Sequence, residues 1–255
     1  MIGSKQKQKK IDRLGFALIG AQKSGTTALH YLLGKHPQIT MGDQQEMHFF
    51  DDEAVFSKSP DYDLLHRHYP VVAASVVAGD CTPSYLYWKP AAERIHQYHP
   101  GIKLIVLLRN PMDRAFAHWN MQRFKGREPL DFLDAVAAEG SRIAPPLSLP
   151  SRRFSYVDRG FYTEQLMRFF QLFPREQFRI IKFEEWKDLP LQTINAIFQF
   201  LEVEPVASVR SKDRNVVPYE REMTTEERKH LYGIFAGEIE KLESLLGWNC
   251  ADWKL

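Results

Sequence analysis

The chain has 255 residues, 44% hydrophobic and 26% charged, with a net charge of +2. That length suits one large domain with a substantial core. The near-balanced charge excludes a global field that would draw in nucleic acid or an anionic membrane, so any anion affinity has to be local.

Residues 1–13 are polar and basic and read as a disordered tail, leaving 14–255 as one domain. Phe16–Ile19 is a short apolar run bounded by glycine, a buried strand. Gly20-Ala21-Gln22-Lys23-Ser24-Gly25-Thr26-Thr27 follows, then a helical pattern carrying Leu29, Leu32 and Leu33 on one face and closed by Gly34 and Pro37. A strand, a glycine-bounded loop and a helix N-terminus make an anion cradle, because loop N–H groups converge where the helix dipole favours negative charge. The alternative, a tight turn with one solvated lysine, leaves the two glycines and two threonines unexplained. A Walker A loop sets its lysine directly after the second glycine; Thr26 stands there, and the lysine, Lys23, is inside the loop.

Gln45–Asp51 crowds charged and aromatic residues with no helical or strand period, so it reads as a loop. Glu46 and His48 beside Phe49 and Phe50 have the composition of a tuned general base, since apolar neighbours raise a carboxylate pKa. A surface glutamate next to a half-buried histidine fits the residues equally well. Asp61–His68 reads as a short helix whose histidines, at i and i+2, diverge and hold no metal. Ser75–Asp80 is a second apolar strand, followed by Cys81, which is read as a small buried thiol. Pro90–His99 is helical.

Lys103–Leu108 is a continuous apolar strand of the kind found inside parallel sheets. Asn110 and Pro111 then cap a helix whose Met112, Ala115, Phe116 and Trp119 make a buried face. Arg109 therefore sits at a strand's carboxyl end, where open α/β sheets bind ligands, with a fork geometry suited to phosphate. Leu130–Glu139 is helical, and Gly140–Arg153, with three prolines, reads as a long loop in which Arg152 and Arg153 could meet an acidic acceptor. Tyr162, Leu166, Phe169 and Phe173 form one face of the next helix, before a strand at Phe178–Phe183 and a helix at Pro190–Leu201. Arg210–Tyr219 is a basic turn. Thr224 and Glu227 form a capping box for a last helix ending at Gly247.

Four of these segments together resemble sulfotransferases that use 3′-phosphoadenosine 5′-phosphosulfate (PAPS), in the carbohydrate branch typified by heparan sulfate sulfotransferases and their bacterial relatives. Gln22–Thr27 is similar to the family's 5′-phosphosulfate loop. Glu46 to Asp51 is similar to its E-x-H-F-F-D pattern, and Arg109-Asn110-Pro111 opens its 3′-phosphate motif. Arg159 to Trp186 follows its R-G-x-Y scaffold stretch. The resemblance implies that Gln22, Lys23, Ser24, Gly25, Thr26, Thr27 and Arg109 bind PAPS, with PAP as product. It implies that Glu46 deprotonates the acceptor, that Lys23 steadies the leaving 5′-phosphate, and that His48 assists Glu46. Lys212 and Arg214 are further candidates for the 3′-phosphate. Two departures stand out: Cys81 where many relatives carry a lysine, and Ala117 where a serine usually follows.

Strands alternating with helices imply a single α/β domain: a mostly parallel sheet covered on both faces, with a P-loop-like nucleotide site across the strands that begin near Phe16 and Lys103. No metal is expected, because no carboxylate ends the strand Lys103–Leu108, and Asp80 is the one candidate for such a role. The expected acceptor is a carbohydrate or small molecule, with no nucleic-acid partner and no membrane span. The two cysteines and the absence of a visible signal peptide favour a cytoplasmic location, although Golgi members of that family carry an N-terminal anchor. Two other functions stay open: a P-loop phosphotransferase that turns over Mg-ATP, and a non-catalytic PAP-binding module.

Overall fold

The computed structural model describes residues 8–73, 76–143, 153–209 and 218–255. Seven strands run through them: β1 (Gln8–Lys9), β2 (Phe16–Gly20), β3 (Ile39–Met41), β4 (Val72–Ala73), β5 (Val77–Cys81), β6 (Lys103–Leu108) and β7 (Phe178–Lys182). Five of them form one sheet in the order β3-β5-β2-β6-β7, every pair parallel. From β2 the chain passes to the edge strand β3 and back to β5 on one side, then crosses over to β6 and β7 on the other. The carboxyl ends of β2 and β6 therefore border the switch-point crevice of an open α/β sheet.

Alternation along the strands divides the core in two. Ala17, Ile19, Leu104, Val106 and Leu108 face one apolar cluster; Phe16, Leu18, Ile105 and Leu107 face the other. Helices α1 (Thr26–Leu33), α7 (Phe183–Asp188) and α8 (Pro190–Phe200) cover the second face. On the first lie α2 (Asp63–His66), α3 (Ala91–Tyr98), α4 (Pro111–Phe124), α5 (Phe132–Arg142), α6 (Tyr162–Phe170) and α9 (Thr225–Leu246). This is the α/β layering expected for a parallel sheet, which must be shielded on both faces. Close strand packing needs Gly79, where a Cβ would lie 2.0 Å from the Phe16 ring.

Caps form where the residue types place them. Asn110 Oδ1 accepts from the Met112 amide at 3.0 Å, and the Thr224–Glu227 capping box is complete, with Gly247 in the left-handed conformation at the far end of α9. Helix α4 is buried well beyond its expected apolar face: Arg114, His118 and Asn120 are also inaccessible, because α4 is packed against α5, α9 and the turn at Asp158–Gly160.

Three elements differ from the sequence reading. The tail expected over 1–13 gives way to structure from residue 8. There β1 pairs with β4, Ile11 and Leu14 join the core, and the Leu14 amide donates to the Tyr98 hydroxyl at 2.7 Å. The loop expected from Gly140 begins later. Helix α5 continues through Arg142, which is tied at 2.5 Å to the buried Glu128, and one glycine in a helix costs only about 1 kcal/mol. Arg152, proposed for that loop, lies outside the described residues, while Arg153, the next residue and a described one, is half-buried. Last, α7 follows β7 directly, an element with no sequence signal of its own. No helix among the described residues is long and apolar enough to cross a membrane.

Candidate functional site

The loop from Gly20 to Thr26 leaves the end of β2 and enters α1. It turns on two residues with positive φ, Lys23 at +70° and Gly25 at +86°. Gly25 needs to be glycine twice over: its backbone is left-handed, and a Cβ there would press on the Phe183 ring at 3.0 Å. Ser24 is fully buried and its Oγ has no partner among the described residues; the buried Oε1 of Gln22 has none there either. Buried polar atoms are seldom left unpaired in a folded protein. These two lie in a loop whose remaining groups are amides and a lysine, which is what an anion cradle requires.

Charge converges on the same place. Burial, then Arg109, Lys125 and Arg114, push the Lys23 ammonium down to about 8 from its ordinary 10.5, with Glu46 pulling the other way. Arg109, at the end of β6, donates from Nη1 to the Lys23 carbonyl at 3.3 Å and lies 5.0 Å from the Phe183 ring centroid. Lys23 and Arg109, 86 residues apart in the chain, are thus brought together at the ends of β2 and β6. Lys125, at the end of α4, belongs to this cluster, and no sequence signal singled it out. Lys212 and Arg214 lie outside the described residues.

The loop carrying Glu46 packs beside the cradle, with Gln45 Nε2 donating to Thr27 Oγ1 at 2.8 Å. His48, left-handed at φ +53°, stands between two carboxylates: Nε2 is 3.3 Å from Glu46 Oε2 and Nδ1 is 3.0 Å from Asp51 Oδ2. Hydrogen bonds to Asp51 and then Glu46 raise the imidazole to about 9, so it is an imidazolium at neutral pH. The two carboxylates differ in access. Asp51 is wholly buried, whereas the Glu46 side chain is 42% exposed. Phe49 and Phe50 do not wall Glu46 as expected. They turn into the core against Phe56, Tyr62 and Tyr85, so the neighbour of Glu46 is a cation.

The floor of this loop is the segment after β5. Ser84 Oγ donates to Asp51 Oδ2 in a very short hydrogen bond, and the Tyr85 hydroxyl accepts from the amides of Phe49 and Phe50 at 3.1 and 3.4 Å. Asp80, fully buried, is raised to about 6 by desolvation, an effect partly offset by hydrogen bonds from Tyr85 and Thr82. Its oxygens are taken by hydroxyls rather than directed at the cradle. Cys81 is a buried thiol 3.8 Å from the Thr26 carbonyl, and burial holds it well above its ordinary value, so it is no nucleophile. Ala117 is buried on α4. Thr82, Ser84 and Lys125 are site residues that sequence reasoning did not assign, and Asp80 was weighed only for a metal; the run of hydroxyl residues around Pro83, Thr82-Pro83-Ser84-Tyr85, is the one signal that marked Thr82 and Ser84.

A family model described as a sulfotransferase domain matches residues 16–230. Among curated proteins, the mouse heparan sulfate glucosamine 3-O-sulfotransferase 5 is 28% identical over 188 residues, covering 74% of this chain and 53% of that protein. The human bifunctional heparan sulfate N-deacetylase/N-sulfotransferase 2 is 28% identical over 97% of this chain and 31% of its own length. The chain thus spans about half or less of these relatives. Among solved structures, a sulfotransferase from Alicyclobacillus acidocaldarius superposes with a TM-score of 0.79 at 28% identity, covering 95% of this chain and 99% of that one.

Proposed function

Because this chain belongs to the sulfotransferase domain family, we propose that it transfers the sulfuryl group of PAPS to a hydroxyl or amine of a carbohydrate or small-molecule acceptor, with Glu46 as general base. The observation that carries the reading is the juxtaposition of an anion cradle with a paired carboxylate: Gln45 of the Glu46 loop is bonded to Thr27 of the cradle.

The residues present fit PAPS. Ser24 and Gln22 offer buried atoms unpartnered among the described residues, and Lys23 and Arg109 supply positive charge. Gln22 to Thr27 would hold the 5′ side and Arg109 the 3′-phosphate. PAPS supplies an activated sulfuryl group on a phosphate leaving group. Transfer breaks the sulfur–oxygen bond to that phosphate and forms a sulfur–oxygen or sulfur–nitrogen bond to the acceptor.

Glu46 takes the acceptor proton as that bond forms, since of the two carboxylates on His48 it is the accessible one. His48, held by Asp51, orients Glu46 and, as an imidazolium already shared between two carboxylates, does not itself act as base. Lys23 places its charge where negative charge develops on the leaving oxygen, a preorganised electrostatic role. With Cys81 buried in the position where relatives carry a second lysine, that role rests on Lys23 and Arg109.

Heat-unfolding midpoints with PAP, PAPS, ATP and ADP, each with and without Mg²⁺, test the donor. The expected result is a metal-independent rise with PAP that Arg109→Ala removes. A rise only with Mg-ATP would make the protein a phosphotransferase instead. Radiolabelled PAPS offered with N-desulfated heparan, chitotetraose and an alkyl glucoside then tests transfer. Glu46→Gln is expected to lower the rate about 10²–10⁴-fold while leaving PAP binding intact below pH 7. Label released to no acceptor by a protein that binds PAP would favour a binding module.

A further inference from the structure

Beneath the catalytic loop lies a buried carboxylate that touches none of its side chains, and the hydrogen-bond directions around it are fixed by chemistry. Asp80 is 2% exposed. Thr82 Oγ1 lies 3.2 Å from Asp80 Oδ2 and 3.3 Å from Oδ1, and the Tyr85 hydroxyl also bonds to Asp80. An ionised carboxylate accepts only, so a hydroxyl that bonds to it donates the one hydrogen it has; Thr82 and Tyr85 also bond to each other. Their lone pairs are then left for other donors. Those donors are three consecutive amides of the catalytic loop: His48 to Thr82 Oγ1 at 3.4 Å, Phe49 to Tyr85 Oη at 3.1 Å and Phe50 to Tyr85 Oη at 3.4 Å.

These three amides flank the left-handed turn at His48, φ +53°, a backbone state that a non-glycine residue keeps only when its surroundings impose it. Ser84, on the same segment, sets the side-chain partner by donating to Asp51. The Asp80–Tyr85 segment thus fixes backbone and side chains of the Glu46–His48–Asp51 array from below.

We infer that Asp80 is a positioning residue for sulfuryl transfer, acting through the Thr82 and Tyr85 hydroxyls, whose lone pairs it turns toward the amides of residues 48–50. The inference rests on the function proposed above. It assigns work to Thr82 and Tyr85 beyond packing, and to Asp80 a purpose other than holding a metal. Neither hydroxyl meets the donor cradle directly, so donor affinity and turnover separate.

The test uses Asp80→Asn, Thr82→Val, Thr82→Ser and Tyr85→Phe in the full chain, with PAPS and whichever of the three acceptor probes the parent protein sulfates. Asp80→Asn, Thr82→Val and Tyr85→Phe are expected to lower kcat by about 10–100-fold, the scale of a misplaced catalytic group. PAP affinity and the KM for PAPS should stay within about twofold. Thr82→Ser restores the hydroxyl and is expected to restore kcat, which separates hydrogen bonding from loss of shape even where Asp80→Asn fails to fold. Turnover of Thr82→Val and Tyr85→Phe within about twofold of the parent, with only their unfolding midpoints lowered, would overturn the inference. So would a fall in PAP affinity parallel to kcat. The low-field proton of His48 bonded to Asp51, followed by NMR, needs no turnover. It should move in Thr82→Val and hold in Thr82→Ser. A parent protein that sulfates nothing while this pattern appears would sink the proposed function and spare the positioning role; a catalytically active parent with an unmoved resonance would do the reverse.

Discussion

Lys23 links the ionisation state of the cradle to its affinity, and the size of the link follows from the structure. Burial and three neighbouring cations hold the ammonium at about 8 in the ligand-free protein. A bound phosphate places negative charge against it and returns it to at least its ordinary value of 10.5. The free value lies below the bound one, so binding takes up protons. Affinity is then complete below pH 8 and declines as pH rises through 8 toward the bound value. With those two values, uptake is about 0.1 proton at pH 7, about 0.5 at pH 8 and about 0.9 at pH 9, and PAP affinity falls about tenfold between pH 7 and pH 9. Each phosphate monoester, with a second pKa of about 6, still carries about 0.1 proton at pH 7 and offsets the uptake there, but is fully ionised by about pH 8 and leaves the slope above that to Lys23. Isothermal titration of PAP in buffers of different ionisation enthalpy reads the proton count directly. Lys23→Arg should bind PAP with no such slope, because a guanidinium does not titrate there. The same desolvation costs the empty protein stability at neutral pH, so Lys23→Met should stabilise the ligand-free form by on the order of 1 kcal/mol after allowance for the solvated part of the side chain. A pH-independent affinity, or a Lys23→Met protein less stable than its parent, would refute the electrostatic account of the cradle.

Three other substitutions separate site from scaffold. Gly25→Ala must adopt φ near +86° with its Cβ against Phe183; a loss of about 1–2 kcal/mol in denaturant unfolding, together with loss of the PAP-induced midpoint rise, is expected. Cys81→Ala should leave transfer within about twofold of the parent, and native Cys81 should resist iodoacetamide at pH 8, since burial keeps the thiol protonated. Thr224→Ala removes the cap of α9 and should cost about 1 kcal/mol in urea unfolding with PAP affinity unchanged, because the capping box touches no part of the cradle.

What the sequence disclosed and what it withheld divide along a physical line. Strands β2 and β6 were legible because a strand buried on both faces must be apolar at nearly every position. The caps at Asn110 and Thr224 were legible because they are local hydrogen bonds. Helix α7 was not: its six residues, Phe183–Asp188, are too few to establish a period, and they are helical because Phe183 and Trp186 pack onto the second core cluster. The buried polar side of α4 was hidden for a related reason. Arg114 and His118 carry the composition of a solvent face, and only the elements stacked over them make that face interior.

The candidate site shows the same division more sharply. The cradle is built chiefly from backbone: a left-handed Gly25, converging amides and a helix start, all of which depend on residues adjacent in the chain. Its pattern therefore survives in one dimension. The acid–base half is built from side chains that choose partners across the fold. Glu46 was expected beside His48 and flanked by the aromatic pair at 49–50; it keeps His48 but not the aromatic wall, because Phe49 and Phe50 gain more by entering the core. Asp80 was weighed only as a metal ligand, since nothing local shows that both its oxygens are occupied by hydroxyls two and five residues later. The electrostatic consequence is one that neither motif contains alone: burial, Arg109, Lys125 and Arg114 make Lys23 give up its proton more readily, and Glu46 helps it keep that proton. Donor affinity and the ionisation of the base are therefore coupled through a single buried ammonium. A substitution at Glu46 that removes its charge should for that reason also lower the pH above which PAP binding weakens, a shift absent from any account that treats the two motifs as separate sites.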